Sequence, residues 1–250
     1  MSKTAFITGA TSGIGKATAE VFAQNGINLI LCGRREDRLK ELAETLGKSV
    51  AVYTCVFDVR DKEAVFKAVE SLPAEFKQID ILINNAGNAH GLEPLNEGST
   101  DDWDSMIDIN VKGLLYVSKA IMPIMVEQKS GHIINIGSVA GKEVYANGNV
   151  YCASKYAVDA LNQGMRIDLN EYGIKVGAIN PGLVETEFSM VRFKGDKDKA
   201  DKVYQGLDAL TPLDIAETIM FMVSRPPHVN IADLLIFPTA QASATKVKRD

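Results

Sequence analysis

The sequence lacks a basic excess: 27 lysines and arginines face 32 aspartates and glutamates, for a formal net charge of −5. A surface for nucleic-acid phosphates would show a cationic surplus, so no nucleic-acid partner is expected. Cysteine is scarce. Cys32, Cys55 and Cys152 are odd in number and fall inside apparent strands and a helix, away from metal-ligand spacing. They are expected as free, buried or half-buried thiols, with no metal site. No window holds about 18 uninterrupted apolar residues, and Met1 to Thr8 has no charged lead before a cleavable apolar stretch. Neither a membrane partner nor an export signal is expected, and the expected compartment is the cytoplasm. No inter-domain linker, internal repeat or low-complexity tract interrupts the 250 residues, a length that suits one large α/β domain. The basic end KVKRD, Lys246 to Asp250, reads as a solvated tail.

What is present is an alternation of strand-length apolar runs with longer amphipathic segments, the pattern of βαβ units and a parallel sheet. Strands are expected at Thr4 to Thr8, Asn28 to Cys32, Val50 to Phe57, Ile79 to Asn84, His132 to Gly137, Lys175 to Asn180 and Leu234 to Phe237. Helices are expected to begin near Gly13, Glu36, Asp61, Thr100, Asn149, Glu185 and Thr211. The first strand runs into TGATSGIG, with Gly9, Gly13 and Gly15 ahead of a helical run. Strand, glycine turn and helix N-terminus make a phosphate cradle, because free N–H groups and the helix dipole face the anion while glycine permits close approach.

Tyr151 and Lys155 stand four residues apart in NVYCASKYAVDALNQGMRIDL, and Ser138 ends the apolar run HIINIGS. On a helix, positions i and i+4 share a face with Cβ atoms about 5–6 Å apart, so an ammonium can sit beside a phenol. A phenol titrates freely near pH 10 and exchanges protons near neutrality only if its anion is stabilised. After the second strand, where a carboxylate would accept the 2′-hydroxyl of an NAD ribose, the chain reads Gly33, Arg34, Arg35. Two cations there suit a 2′-phosphate through charge-assisted, often bidentate bonds.

TGxxxGxG, NNAG (Asn84 to Gly87), Asn110, Ser138 and YxxxK, in this order and at these distances, resemble the short-chain dehydrogenase/reductase superfamily from Lys3 to about Phe237. The resemblance implies an α/β fold: one Rossmann domain, a doubly wound parallel seven-stranded sheet of order 3-2-1-4-5-6-7, and a substrate lid at about residues 185–210. It implies that Gly9, Ser12, Gly13 and Ile14 line the adenosine and diphosphate side of a nicotinamide cofactor, here NADP. Asp58 would meet the adenine amino group with Val59 alongside, or else cap the helix from Asp61. Asn85 would lie near the cofactor ribose, and Pro181, Gly182, Val184 and Thr186 of PGLVET would contact the nicotinamide end. Tyr151 would be the general acid/base, with Lys155 lowering its pKa and holding the ribose, Ser138 orienting the reacting oxygen, and Asn110 holding a water near Lys155. A homotetramer is expected by the same analogy, through the helices at 100–127 and 149–171 and the last strand.

The blocks SLPAEF, DWDSMID, NVY, PGLVETEFSMVRFKGD and PPHVNI resemble the NADP-dependent 3-hydroxy acid dehydrogenase group, which acts on serine, L-allo-threonine and related acids. VRFKGD places Arg192 and Lys194 near a possible carboxylate, or else in lid packing. The alternatives are a broad carbonyl reductase or 3-oxoacyl carrier-protein reductase and, in another class, an NADP-binding regulator without turnover.

Overall fold

In the computed structural model, which describes residues 2–250, seven parallel strands form one sheet. Its strands are β1 (Thr4–Thr8), β2 (Asn28–Gly33), β3 (Val52–Val56), β4 (Ile81–Asn84), β5 (Gly131–Ile136), β6 (Ile174–Pro181) and β7 (Asp233–Ile236). They lie in the order β3-β2-β1-β4-β5-β6-β7, as expected. Thr4 pairs with Asn28 on one side of β1, and Ala5 with Ile81 on the other. β1 is buried along its whole length, which is why it reads as a continuous apolar run rather than an alternation.

Successive side chains point to opposite faces of a strand, so the sheet carries two cores. Phe6, Ile30, Leu82, Ile133 and Val176 face one way. They are covered by α3 (Lys62–Glu70), α5 (Leu114–Gln128) and α6 (Asn149–Leu169). Ile7, Leu29, Leu31, Ile83 and Ile179 face the other way. There they meet α1 (Gly13–Gln24), α2 (Glu36–Leu46) and α9 (Pro212–Val223). Asp61 caps α3 by accepting from the Ala64 N–H at 3.0 Å, which leaves Asp58 free of that task. Thr211 and Asp214 form a capping box at the start of α9, with Pro212 in its first turn.

Two segments depart from expectation. The helix foreseen from Thr100 is interrupted: α4 (Thr100–Ile107) and α5 are joined by a π-helical turn at Asp108–Gly113. The combined stretch Thr100–Gln128 is long enough to cross a membrane and holds an 18-residue window of mean hydropathy 1.3, but Ile109, Leu114, Val117, Ile121 and Met125 pack into the first core. The helix foreseen near Glu185 is two short ones, α7 (Phe188–Arg192) and α8 (Lys197–Lys202). The basic end is exposed, as expected, except at the half-buried Val247, and it is also tied back to the body. Its backbone turns back through the Ala242 N–H to Lys246 O bond, and Arg249 donates to Val203 O at 2.9 Å and Gln205 O at 2.6 Å. Carbonyls of the turn just beyond α8 thereby gain donors.

His132 begins the buried part of β5 with neither ring nitrogen partnered. Burial, with Lys175 and Lys3 nearby, pulls its pKa down from 6.5 to about 3. Between these values the unfolded chain takes up a proton that the folded chain refuses, so stability falls as pH drops below 6.5. From pH 7 to pH 5 this one group is expected to cost about 2 kcal/mol. Urea midpoints of wild type and His132→Leu at the two pH values check this: the variant should lose the His132 share of the decline, and parallel declines would refute it.

Candidate active site

The carboxyl ends of the strands open into one cleft of about 610 Å³. One wall is the glycine turn. Gly9 and Gly13 have φ of +66° and +52°, in the left-handed region that side chains rarely adopt. A Cβ on Gly9 would stand 2.8 Å from Asn85 Nδ2. Ser12 precedes α1 without a side-chain cap, and no acidic residue occupies the first turn, so the free N–H groups and dipole of this helix end are left for an anion. Asn85 locks the turn rather than simply facing the cleft. Its Nδ2 donates to Thr8 O at 2.9 Å and Gly9 O at 3.2 Å, while Thr8 Oγ1 accepts from the Asn85 and Ala86 N–H groups, each at 3.0 Å. Ile14 lines the same wall.

Beyond β2 the two arginines differ. Arg35 lies over the glycine turn, donating from Nε and Nη2 to Thr11 Oγ1 and from Nη2 to Ser12 Oγ. Arg34 is 61% exposed, and its Nη1 is 3.5 Å from Asp58 Oδ2. Asp58 lines the cleft with Val59. Burial alone would raise its carboxyl, but hydrogen bonds and charge from Arg60, with Arg34 beyond, hold it below the ordinary range.

At the centre lie Ser138, Tyr151 and Lys155. Ser138 follows β5 in an extended conformation, its Oγ accepting from the Ala140 N–H at 3.1 Å and lying against the Tyr151 phenol. Tyr151 and Lys155, one turn apart on α6, are both buried. Lys155 Nζ donates to Ile136 O at 2.9 Å and stands 6.0 Å from the Tyr151 ring centre. Burial pushes the ammonium down to about 8, because a charge is costly to hold out of water. Burial likewise pushes the phenol above its ordinary range, while Ser138 and the Arg192 charge draw it down. Two cations therefore flank the phenol ring, Lys155 at 6.0 Å and Arg192 at 5.6 Å.

Asn110 sits beneath these groups. Its amide donates to Asn88 O at 2.8 Å and Ser154 Oγ at 3.0 Å, and its Oδ1 accepts from the Asn88 N–H at 2.9 Å. The side chain has no direct contact with Lys155; the two approach across Gly87, whose added Cβ would be 3.0 Å from Asn110 Oδ1 and 3.7 Å from Lys155 Nζ.

The opposite wall comes from the end of β6 and the segment after it, where Pro181, Gly182, Val184 and Thr186 line the cleft. Arg192 reaches in from α7. Its Nε donates to Gly91 O at 3.2 Å and its Nη1 to Tyr145 Oη at 3.0 Å. The guanidinium lies 5.6 Å from the rings of both Tyr145 and Tyr151. Its Nη2 is buried without a partner, an expensive arrangement that leaves a donor for an incoming acceptor. Lys194 is not brought to the cleft: it pairs with Asp102 at 2.9 Å on the surface. A left-handed φ of +53° at this residue turns the chain, so the two basic residues of VRFKGD part company. Tyr145 went unnoticed in the sequence because it lies in a turn without periodicity; its one signal was an aromatic residue between Ser138 and Tyr151.

The short chain dehydrogenase family profile matches residues 3–197. The chain belongs to this family. It is 48% identical over 239 residues to the NADP-dependent 3-hydroxy acid dehydrogenase of Escherichia coli strain K12, covering 95% of this chain and 96% of that one. It is 45% identical to sulfoacetaldehyde reductase 2 of Chromohalobacter salexigens, over 100% of each chain. Among solved structures, the closed form of serine dehydrogenase complexed with NADP+ superposes with a TM-score of 0.93 at 46% identity, covering 99% of this chain and all of that one. In this short-chain dehydrogenase the tightest point of the cradle is Gly15, where an added Cβ would strike the Gly9 carbonyl oxygen and lie 2.5 Å from Asn85 Nδ2. Gly15→Ala should therefore cost about 1–3 kcal/mol by overpacking and lower affinity for adenine nucleotides. Gly164→Ala, inside α6 with nothing near its Cβ position, should leave nucleotide affinity unchanged and raise stability by about 0.5–1 kcal/mol. Thermal melting and nucleotide titration of the two variants check the contrast.

Proposed function

We propose that this short-chain dehydrogenase is an NADP-dependent oxidoreductase acting at the 3-hydroxyl or 3-oxo carbon of small 3-hydroxy acids such as L-serine and L-allo-threonine. The observation that carries the substrate class is the buried, unpartnered Nη2 of Arg192 beside Tyr151. A planar guanidinium already braced by Tyr145 and Gly91 suits a carboxylate separated from the reacting carbon by one further carbon. The names of the relatives point the same way. Lys194 is not carried forward as an anchor, since Asp102 already engages it at the surface.

The residues present fit the cofactor. Gly9, Ser12, Gly13 and Ile14 would hold its diphosphate side, Arg34 and Arg35 its 2′-phosphate, and Asp58 and Val59 its adenine. Asn85, Tyr151 and Lys155 would lie at the ribose, and Pro181, Gly182, Val184 and Thr186 at the nicotinamide. When bound, NADP supplies the hydride acceptor, and NADPH the donor. Tyr151 takes the hydroxyl proton in oxidation and returns one to the oxygen in reduction. Ser138 holds that oxygen and strengthens its bond as alkoxide character grows. Lys155 holds a positive charge under the phenol. Asn110 fixes α6 against the loop after β4, and in this reading its π turn connects Lys155 to solvent through a water.

Residues 185–210, with α7 and α8, serve as the lid that carries Arg192 to the substrate. The assembly we propose is a homotetramer, supported by exposed Leu115, Tyr156, Ile167 and Leu235 on α5, α6 and β7. The setting we propose is the cytoplasm, in keeping with three free, buried cysteines. The negative charge supports a small molecule rather than nucleic acid as the partner.

The test is a substrate panel with Tyr151→Phe and Arg192→Ala. Tyr151→Phe should lower kcat by at least about two orders of magnitude while nucleotide binding survives; a near-normal rate would exclude the phenol as the acid/base and, with no turnover in the wild type, leave only a nucleotide-binding role. Arg192→Ala should raise KM for L-serine and L-allo-threonine far more than for a neutral aldehyde of similar size. Equal effects would reduce Arg192 to packing. A sulfonate also fits a guanidinium, so wild-type preference for sulfoacetaldehyde over the hydroxy acids would move the assignment to the reaction that the Chromohalobacter relative is named for. Preference for neutral carbonyls would favour a general carbonyl reductase.

A further inference from the structure

Glu187 immediately follows Thr186 on the segment after β6, and its carboxylate crosses the mouth of the cleft to the opposite wall. Oε2 accepts from Arg35 Nη1 at 2.9 Å, and Oε1 from Arg38 Nη1 at 2.8 Å. The other donors of Arg35 are committed to the glycine turn, at 3.0 and 2.8 Å to Thr11 Oγ1 and 2.7 Å to Ser12 Oγ. Of the five N–H groups of a guanidinium, few remain for a ligand. Arg38, in the first turn of α2, presents a further cation beside Arg35, since both meet the same carboxylate. Glu187 is the carboxylate that spans Arg35 and Arg38, with 49% of its side chain exposed. A grip in that much water is weak and reversible.

We infer that Glu187 is a built-in competitor for the 2′-phosphate of the cofactor: it occupies Arg35 in the free cleft, yields that guanidinium when the phosphate arrives, and is retained by Arg38. The inference rests on the reading of Arg34 and Arg35 as the 2′-phosphate site. Geometry supports exchange over simple addition. A phosphate reaching Arg35 while Glu187 stayed in place would put two anions against one guanidinium, which costs Coulomb energy unless one of them withdraws. Moving Glu187 to Arg38 needs only a side-chain rotation, because that contact already exists. Glu187 is therefore a specificity-determining residue: it penalises cofactors that carry a 2′-phosphate and is neutral toward those that lack one, so the preference for NADP is smaller than the arginines alone would set. The same exchange frees the N-cap residue of α7 from the opposite wall, and α7 carries Arg192.

The test is calorimetric titration of the full-length protein with adenosine 2′,5′-bisphosphate and with 5′-AMP, which engage the adenosine side without any turnover. Glu187→Gln keeps the size of the side chain and removes its charge. It should tighten the bisphosphate by up to about fivefold, the upper value for one exposed ion pair, and leave 5′-AMP unchanged. Unchanged or weaker bisphosphate binding in the variant would overturn the inference, weaker binding showing that Glu187 clasps the loaded cleft instead. An equal gain for both nucleotides would also overturn it, placing Glu187 in general cleft opening. If the wild type bound the bisphosphate no more tightly than 5′-AMP, the failure would lie in the arginine reading itself, and the role of Glu187 would fall with it.

Discussion

A line of buried amide hydrogen bonds holds the carboxyl ends of the central strands in register, and the cleft depends on it. Asn84 Nδ2 donates to Ser118 Oγ and to Asn135 Oδ1, both at 2.9 Å, Asn135 Nδ2 to Asn162 Oδ1 at 3.1 Å, and Asn162 Nδ2 to Ala232 O at 3.2 Å. The chain of bonds runs from α5 through β4 and β5 to α6 and on to the approach to β7. Buried amides of this kind stabilise one arrangement sharply, because any slip leaves a donor or acceptor unpaired. It fixes the helix that carries Tyr151 and Lys155 against the strand that ends at Ser138. Asn85 and Asn110 extend the same economy to the glycine turn and to the loop after β4.

Above this polar layer the cleft is organised by cations with different degrees of freedom. Lys155 is tied to a strand carbonyl and loses basicity to burial. Arg192 is braced on two sides and keeps one buried donor open. Arg35 is nearly saturated by the glycine turn and Glu187, whereas Arg34 is largely in water. Such graded occupancy lets one small cleft hold several positive groups without gross repulsion, since each is paired with dipoles or a carboxylate until a ligand replaces them. The carboxylates responsible, Asp58 and Glu187, both titrate below their ordinary range for this reason: Arg60 outweighs burial at Asp58, and Arg35 and Arg38 outweigh it at Glu187.

Much of this was visible in the amino-acid order. Periodicity located every strand to within about two residues; the central runs such as KTAFIT and HIINIG were plainest, because strands buried on both faces must be apolar throughout. The glycine spacing marked the cradle, since a left-handed φ at Gly9 and contact distances at Gly15 leave no room for other residues. Tyr151 and Lys155 announced themselves by helical spacing. The interruption at Asp108–Gly113 did not, because a π turn adds one residue to a helical register without changing composition; Asn110, a poor helix former, was the sole hint.

The sequence by itself determined the parallel sheet, the cradle and the phenol–ammonium pair, which follow from local periodicity and spacing; the order of the strands came only through the family resemblance. Only the tertiary structure decided the partners that lie far apart in the chain. It separated Arg192, turned inward to Tyr145 and Tyr151, from Lys194, two residues on and paired at the surface with Asp102. It brought Glu187 to Arg35 across 152 positions and folded a basic tail onto the carbonyls of Val203 and Gln205. The physical reason is that charge pairs of long reach carry no periodicity: which cation meets which anion depends on where the backbone points them, and two residues of loop with one left-handed φ suffice to send neighbouring side chains to opposite sides of a wall.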